Sequence, residues 1–207
     1  PPLKRNIWIR HIAVFESGRK MSLLAAASRP LYGAFRLARL DPGGLAYFDI
    51  TPASFWFSFL AAVLTFPVYI LIVATAWIDA GIDVMVWRVV IVEFISYVIA
   101  WTAFPVILPL VLRLIDRQQH YIRAVVAYNW ASVIQNLVYL PVVLFGLLGA
   151  DSGPIGLIVL LAILLYSGYV IKVTLDIRPS IAWAIIMLDV LISLVLNAWS
   201  DKLIIGS

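Results

Sequence analysis

Apolar residues in this chain fall into five long runs, near residues 53–77, 84–112, 124–148, 155–175 and 181–199, parted by short polar links. An α-helix rises about 1.5 Å per residue, so about 20 apolar residues cross a hydrocarbon layer about 30 Å thick. Each run meets that length or nearly so, and the apolar positions are continuous, not gathered in short periodic stripes. The pattern predicts an all-α integral membrane protein. Its bundle of five transmembrane helices fills residues 51–202 as one domain, with a short tail at 203–207. Thr51-Pro52 supplies a cap and a first-turn proline for the first run. Trp56 and Trp77 lie near that run's two ends, where amphipathic rings settle at the interface. Pro105 and Pro109 in the second run and Pro141 in the third predict kinks, because proline removes a backbone donor. The links are residues 79–83, 113–123, 149–154 and 176–180, the third being rich in turn-forming residues.

Residues 1–50 carry a different pattern. Between Pro30 and Asp41, Leu31, Phe35 and Ala38 recur at helical spacing while Arg36 and Arg39 point elsewhere, which predicts a basic amphipathic helix lying in the headgroup layer. Asp41-Pro42-Gly43-Gly44 ends it. Arg29, Arg36 and Arg39 are its candidate contacts to anionic headgroups at the cytoplasmic face. No apolar core of signal-peptide length precedes a small-residue cleavage site, so the segment is expected to stay with the mature protein, with Met21 an alternative start.

Composition strengthens the membrane reading. The chain is 64% hydrophobic and 13% charged, against about half and about a quarter in a soluble domain. Its mean hydropathy is +1.03. Basic residues alternate between the links. They are many before the first run and absent from the first and third links, while the second holds Arg113, Arg117 and Arg123 and the fourth holds Arg178 close to Lys172. Basic residues in short loops stay in the cytoplasm. The amino terminus is therefore expected inside and the carboxyl tail, with Lys202, outside, in a bacterial inner membrane.

The absence of cysteine excludes disulfides, thiolate nucleophiles, Cys-based zinc sites and iron–sulfur clusters. His11 and His120 are too few for a histidine-rich metal site. No phosphate-binding loop, nucleophile elbow or haem attachment motif is present, so no catalytic residue, cofactor or metal is expected. The basic segment lacks nucleic-acid-binding motifs, which leaves the bilayer as its partner.

Ionisable side chains within spans are costly and face the bundle interior or water, which makes each a candidate for function. Arg88 lies near a span end, where its aliphatic stem reaches the headgroups. Glu93 lies about 12 Å deeper than the start of its run, at about 1.5 Å per residue, with Ser96, Tyr97 and Ala100 on its face. It either lines a proton or cation route or packs against a neighbouring helix. Asp189, Ser193 and Asn197 recur every four residues along the fifth run. Asn129, Ser132 and Asn136 make a matching stripe on the third, and Ser54, Ser58 and Thr65 on the first. These stripes are expected to face one another or a partner. Lys172 has two candidate ion-pair partners, Asp189 at similar depth on the next helix and Asp176 four residues on.

The stretches HYIRAVVAYNW, entering the third run, and GYVIKVTLDIRPSIAWAIIMLDVLISL, across the fourth and fifth, resemble the Yip-type membrane family, especially its bacterial members. The resemblance covers roughly residues 117–199. It implies five spans, a cytoplasmic amino terminus and a role in membrane organisation, and it brings no catalytic residues. Two functions are expected from the whole reading. The first is a non-enzymatic scaffold, membrane-organising factor or accessory subunit that associates with other membrane proteins or with itself. The alternative is a small transporter or channel with a polar path through Glu93, Asp189 and Lys172.

Overall fold

The computed structural model describes residues 23–80, 85–149 and 153–205. The basic residues before position 23, the Met21 start, most of the first acidic link, the centre of the third link and the last two tail residues lie outside the described residues.

The chain opens with α1 (Leu23–Ala38) and a 3-10 turn (Pro42–Tyr47). The membrane domain follows in order: α2 (Pro52–Ser58), α3 (Leu60–Ala80), α4 (Val86–Leu114), a 3-10 turn (Gln118–His120), α5 (Tyr121–Leu147), α6 (Gly153–Leu175) and α7 (Pro179–Ile205). Among the described residues five spans are long and apolar enough to cross a membrane, α2 and α3 together making the first. The protein is an all-α, multi-pass membrane bundle.

Thr51 and Ser54 close the first span with reciprocal side-chain to backbone bonds, each of 3.0 Å, which satisfies donors that a helix start leaves free. The span is not one helix, as its continuous apolar run predicts. It breaks at Phe59, whose N–H bonds the Trp56 carbonyl three residues back at 3.2 Å, while the Ser58 hydroxyl takes the Phe55 carbonyl at 2.7 Å. Elsewhere the prolines are accommodated without a break, α4 running on through Pro105 and Pro109 and α5 through Pro141. The fifth span continues to Ile205. Ser200-Asp201-Lys202 does not end it, because no glycine or proline follows Pro179 until Gly206.

Three helices end alike. Leu40, Asp116 and Asp176 take left-handed conformations at φ 59°, 53° and 53°. The residue after each donates to the carbonyl five residues earlier: Asp41 to Arg36 at 3.0 Å, Arg117 to Leu112 at 2.9 Å and Ile177 to Lys172 at 3.2 Å. This arrangement satisfies the terminal carbonyls where a glycine usually stands.

Core packing is concentrated at the end of the bundle that carries α1. One cluster joins Ala34, Leu37, Ala61, Ala127, Trp130 and Val170, and a second joins Leu108, Leu112, Val125, Ile171, Leu175 and Ile185. Both centre on α5, whose buried Ala124, Ala127 and Ala131 let neighbouring helices approach closely. Toward the opposite end, α3 packs mainly on α5 and α4 mainly on α7. Although consecutive, α3 and α4 are joined there chiefly by long side chains, and a cleft opens between them.

The amphipathic helix also differs from its expected form. α1 docks on α5 and α6 through buried Ala27, Ala34 and Leu37, while Phe35 stays 46% exposed and Ala38 is exposed. The buried arc is therefore turned by about one residue from the predicted one. Hydroxyls of Tyr166 and Tyr169 on α6 bond the carbonyls of Ala34 and Leu40 at 2.7 and 2.8 Å. The 3-10 turn folds back onto α1 at a point where only glycine fits, since a Cβ on Gly44 would lie 2.5 Å from the Gly33 carbonyl oxygen.

Candidate functional site in the bundle interior

Glu93 projects from α4 toward α3. The Tyr69 hydroxyl donates to one carboxylate oxygen at 2.7 Å and the Trp77 indole N–H to the other at 3.3 Å. Trp77, near the end of α3, thus turns its indole N–H toward α4. A carboxylate offers about four lone-pair sites, so two donors leave accepting capacity unused. Tyr97, one turn on, stacks with Tyr69 at 4.5 Å between ring centroids and bonds both the Ala62 carbonyl, at 2.6 Å, and the Thr65 hydroxyl, at 2.9 Å. Ser96 is buried, and its hydroxyl has no hydrogen-bond partner among the described residues.

Glu93 lies where two cavities meet. One, about 500 Å³, runs between α3 and α4 and is otherwise apolar and aromatic. The other, about 490 Å³, adds Asn197, Ser200 and Asp201 of α7. A third, about 170 Å³, lies deeper and holds Asp189 and Ser193 with Tyr128, Asn129, Ser132 and Gln135 of α5. Asp189 accepts from the Tyr128 hydroxyl at 2.5 Å. It stands ten residues into α7, about 15 Å along the helix at 1.5 Å per residue. The α7 stripe therefore borders the two more polar cavities in turn, Asp189 and Ser193 on one and Asn197 with Asp201 on the other.

The expected ion pair of Lys172 is not formed. Lys172 is exposed on α6, and the ion pairs among the described residues are Arg29–Asp49 and Arg36–Asp41. Lys172 and Asp189 share a depth, but α6 turns Ser167, Ile171 and Thr174 into the bundle and leaves Lys172 outside. Among the described residues neither Glu93 nor Asp189 meets a cation.

Polar stripes on the first, third and fifth spans meet in part. Asn129 donates to the buried Ser58 hydroxyl at 2.9 Å and Gln135 to Ser167 at 3.0 Å. Asn136 is spent within its own helix, on the Ser132 carbonyl at 2.8 Å. Asn197 is exposed in the isolated chain along the cavity wall.

Of the three arginines read as headgroup contacts, two are tied within the protein. Arg29 pairs with Asp49 at 3.2 Å, and Arg36 meets Asp41 at 2.5–2.6 Å while donating to the Tyr47 hydroxyl at 3.3 Å. Arg36 and the Gly43 N–H hold the Asp41 carboxyl below its ordinary pKa, and Asp41 holds the Arg36 guanidinium above its own. That clasp persists above the ordinary carboxylate range and loosens as pH falls below it. Arg39 rests over the Phe35 ring at 5.9 Å and has no ion pair among the described residues.

Among the described residues no group of three or more His, Asp or Glu gathers to hold a metal ion. Compared with family models, with curated proteins and with solved structures, the chain has no match. The class of protein is therefore set by architecture, a five-span α-helical membrane bundle with the carboxylates of Glu93, Asp189 and Asp201 lining its cavities.

Proposed function

We propose that the chain is a small, non-enzymatic membrane transporter or channel in which Glu93 and Asp189 carry a proton or cation along the polar face of α7. One observation supports this reading above the others: both carboxylates line cavities, neither meets a cation among the described residues, and Asp189 lacks the Lys172 pairing that would have made it structural. Ionisable groups held inside a membrane at such cost mark ion and substrate routes. Lys172, outside the cavities, drops out of the path. The proposal includes the orientation drawn from charge, amino terminus in the cytoplasm and carboxyl terminus outside, in a bacterial inner membrane. It also keeps the Yip-type kinship, which rests on the texture of residues 117–199.

The scaffold reading retains one feature of its own, the outer surface of α1 and of the turn that follows it, where Tyr32, Phe35 and Leu40 are exposed beside Arg39. That surface suits headgroups or a second subunit. Flux in proteoliposomes separates the two readings. Under an imposed potential, wild-type vesicles are expected to pass protons or a monovalent cation, and Glu93→Gln or Asp189→Asn to reduce the rate at least tenfold. Unchanged flux in both variants, with stoichiometric co-purification of another membrane protein, would establish the scaffold instead.

A further inference from the structure

We infer that the cleft between α3 and α4 is a binding site for a lipophilic organic cation, an amine or a quaternary onium bearing alkyl or aryl groups. The inference names the substrate class of the passage proposed above, on which it rests for transport though not for binding. At about 500 Å³ the cleft falls within the size range of small-molecule sites, about 300 to 1,000 Å³. Its wall is apolar apart from one charged side chain, Glu93, and four aromatic rings border it: Phe66, Tyr69, Trp77 and Phe94. Aromatic faces attract a cation, the more so when water is excluded, and a carboxylate with no basic partner among the described residues supplies the counter-charge. The rings are braced against one another, Phe66 to Phe94 at 6.2 Å and Tyr69 to Tyr97 at 4.5 Å between centroids.

Access is from the side. Ile70, Val90 and Phe94 are 49%, 61% and 55% exposed on a face that lipid covers in a membrane. A ligand that dissolves in the bilayer reaches Glu93 without crossing a headgroup layer twice. A hydrophilic ion such as sodium has no such route through this opening. The charge is held at Glu93, where the adjoining cavity with Asn197 and Asp201 opens, while the apolar substituents stay between α3 and α4.

Tetraphenylphosphonium, with neutral triphenylphosphine oxide as its uncharged counterpart, tests the inference on the full chain in lipid nanodiscs by quenching of tryptophan fluorescence. Saturable quenching by the cation is expected, at least tenfold stronger than by the neutral compound. Glu93→Gln is expected to weaken it at least tenfold. The glutamine carbonyl accepts the Trp77 N–H while its amide N–H donates to the Tyr69 hydroxyl, which can accept as well as donate, so the fold is retained. Phe94→Ala, at a half-exposed position, is expected to weaken it about threefold. Equal binding of cation and neutral compound, or binding that Glu93→Gln and Phe94→Ala leave unchanged, would overturn the site. Proton or potassium flux that depends on Glu93 without onium binding would overturn this inference and leave the transport reading standing. Onium binding that depends on Glu93 without flux would do the reverse.

Discussion

An amide inside a membrane has no water to answer its donors, so Asn129 must find a partner within the bundle. It finds Ser58, buried like itself. Such bonds contribute modestly, about 0.6 kcal/mol on average and up to about 1.7, because the alternative states also offer partners. A double-mutant cycle of Asn129→Ala and Ser58→Ala, followed by denaturant unfolding in mixed micelles, is expected to return a coupling on the order of 1 kcal/mol. Strictly additive losses would show that the contact contributes nothing. At this scale the sequence marked the polar atoms and the meeting of the Asn129 and Ser58 stripes, and misjudged the partner of Lys172. Depth along the membrane normal follows from counting residues, and so Lys172 and Asp189 are level. The rotation of each helix does not follow from counting, and it carries Lys172 to the outside. Tyr69, Trp77 and Tyr128 went unrecognised as the donors to the carboxylates, since aromatic residues read as apolar or interfacial. The available signal was chemical: an intramembrane carboxylate with no cation on its face requires neutral donors.

A proline inside a helix leaves an orphan carbonyl four residues before it. In α4 the orphan made by Pro109 is the carbonyl of Pro105, and the Tyr121 hydroxyl from the start of α5 supplies the missing donor at 2.9 Å. One bond thus repairs one helix and pins another to it. Tyr121→Phe keeps the ring that packs on Phe55 and is expected to cost about 1 to 3 kcal/mol, the penalty of an unsatisfied buried acceptor. On a Pro109→Ala background, where the backbone N–H is restored at that position, the same substitution is expected to cost a fraction of that, by the same unfolding measurement. An equal cost on both backgrounds would assign the effect to packing. The existence of the helices was legible because continuous apolar runs admit no other structure in lipid. The facing of α1 was not. In a membrane protein both lipid-facing and protein-facing arcs are apolar, so the Leu31, Phe35 and Ala38 pattern located a greasy side without saying that Ala34 and Leu37 would take the contact. The break at Phe59 carried no glycine or proline to announce it.

Across the whole molecule, charge is distributed by end. Arg29 and Arg36 of α1, Arg39 just after it, Arg113 in the last turn of α4, Arg117 beyond it, Arg123 of α5 and Arg178 before α7 gather at the end where α1 docks. Arg117 and Arg123 there donate to the last carbonyls of α6 and its cap, at Asp176 and Thr174, at 3.3 and 2.8 Å. Cations at a helix carboxyl end are favoured by its dipole, so these residues stabilise the fold. The opposite end holds the cleft, Glu93 and Asp201, with Arg88 and Lys202 as its described basic residues. Five spans place the two ends of the described chain on opposite faces, and in the proposed orientation the basic end is the one kept in the cytoplasm. Alkaline phosphatase, which folds only where disulfides form, is therefore expected to be active when fused after Ile205 and inactive when fused after Asp116. Activity in the second fusion and none in the first would invert the bundle and turn the α3–α4 cleft toward the cytoplasmic leaflet. The lipophilic cations it binds would then be drawn from inside the cell's own leaflet. With the orientation as proposed, the cleft takes them from the outer one, where Glu93 lies closer to the external solution than Asp189 does.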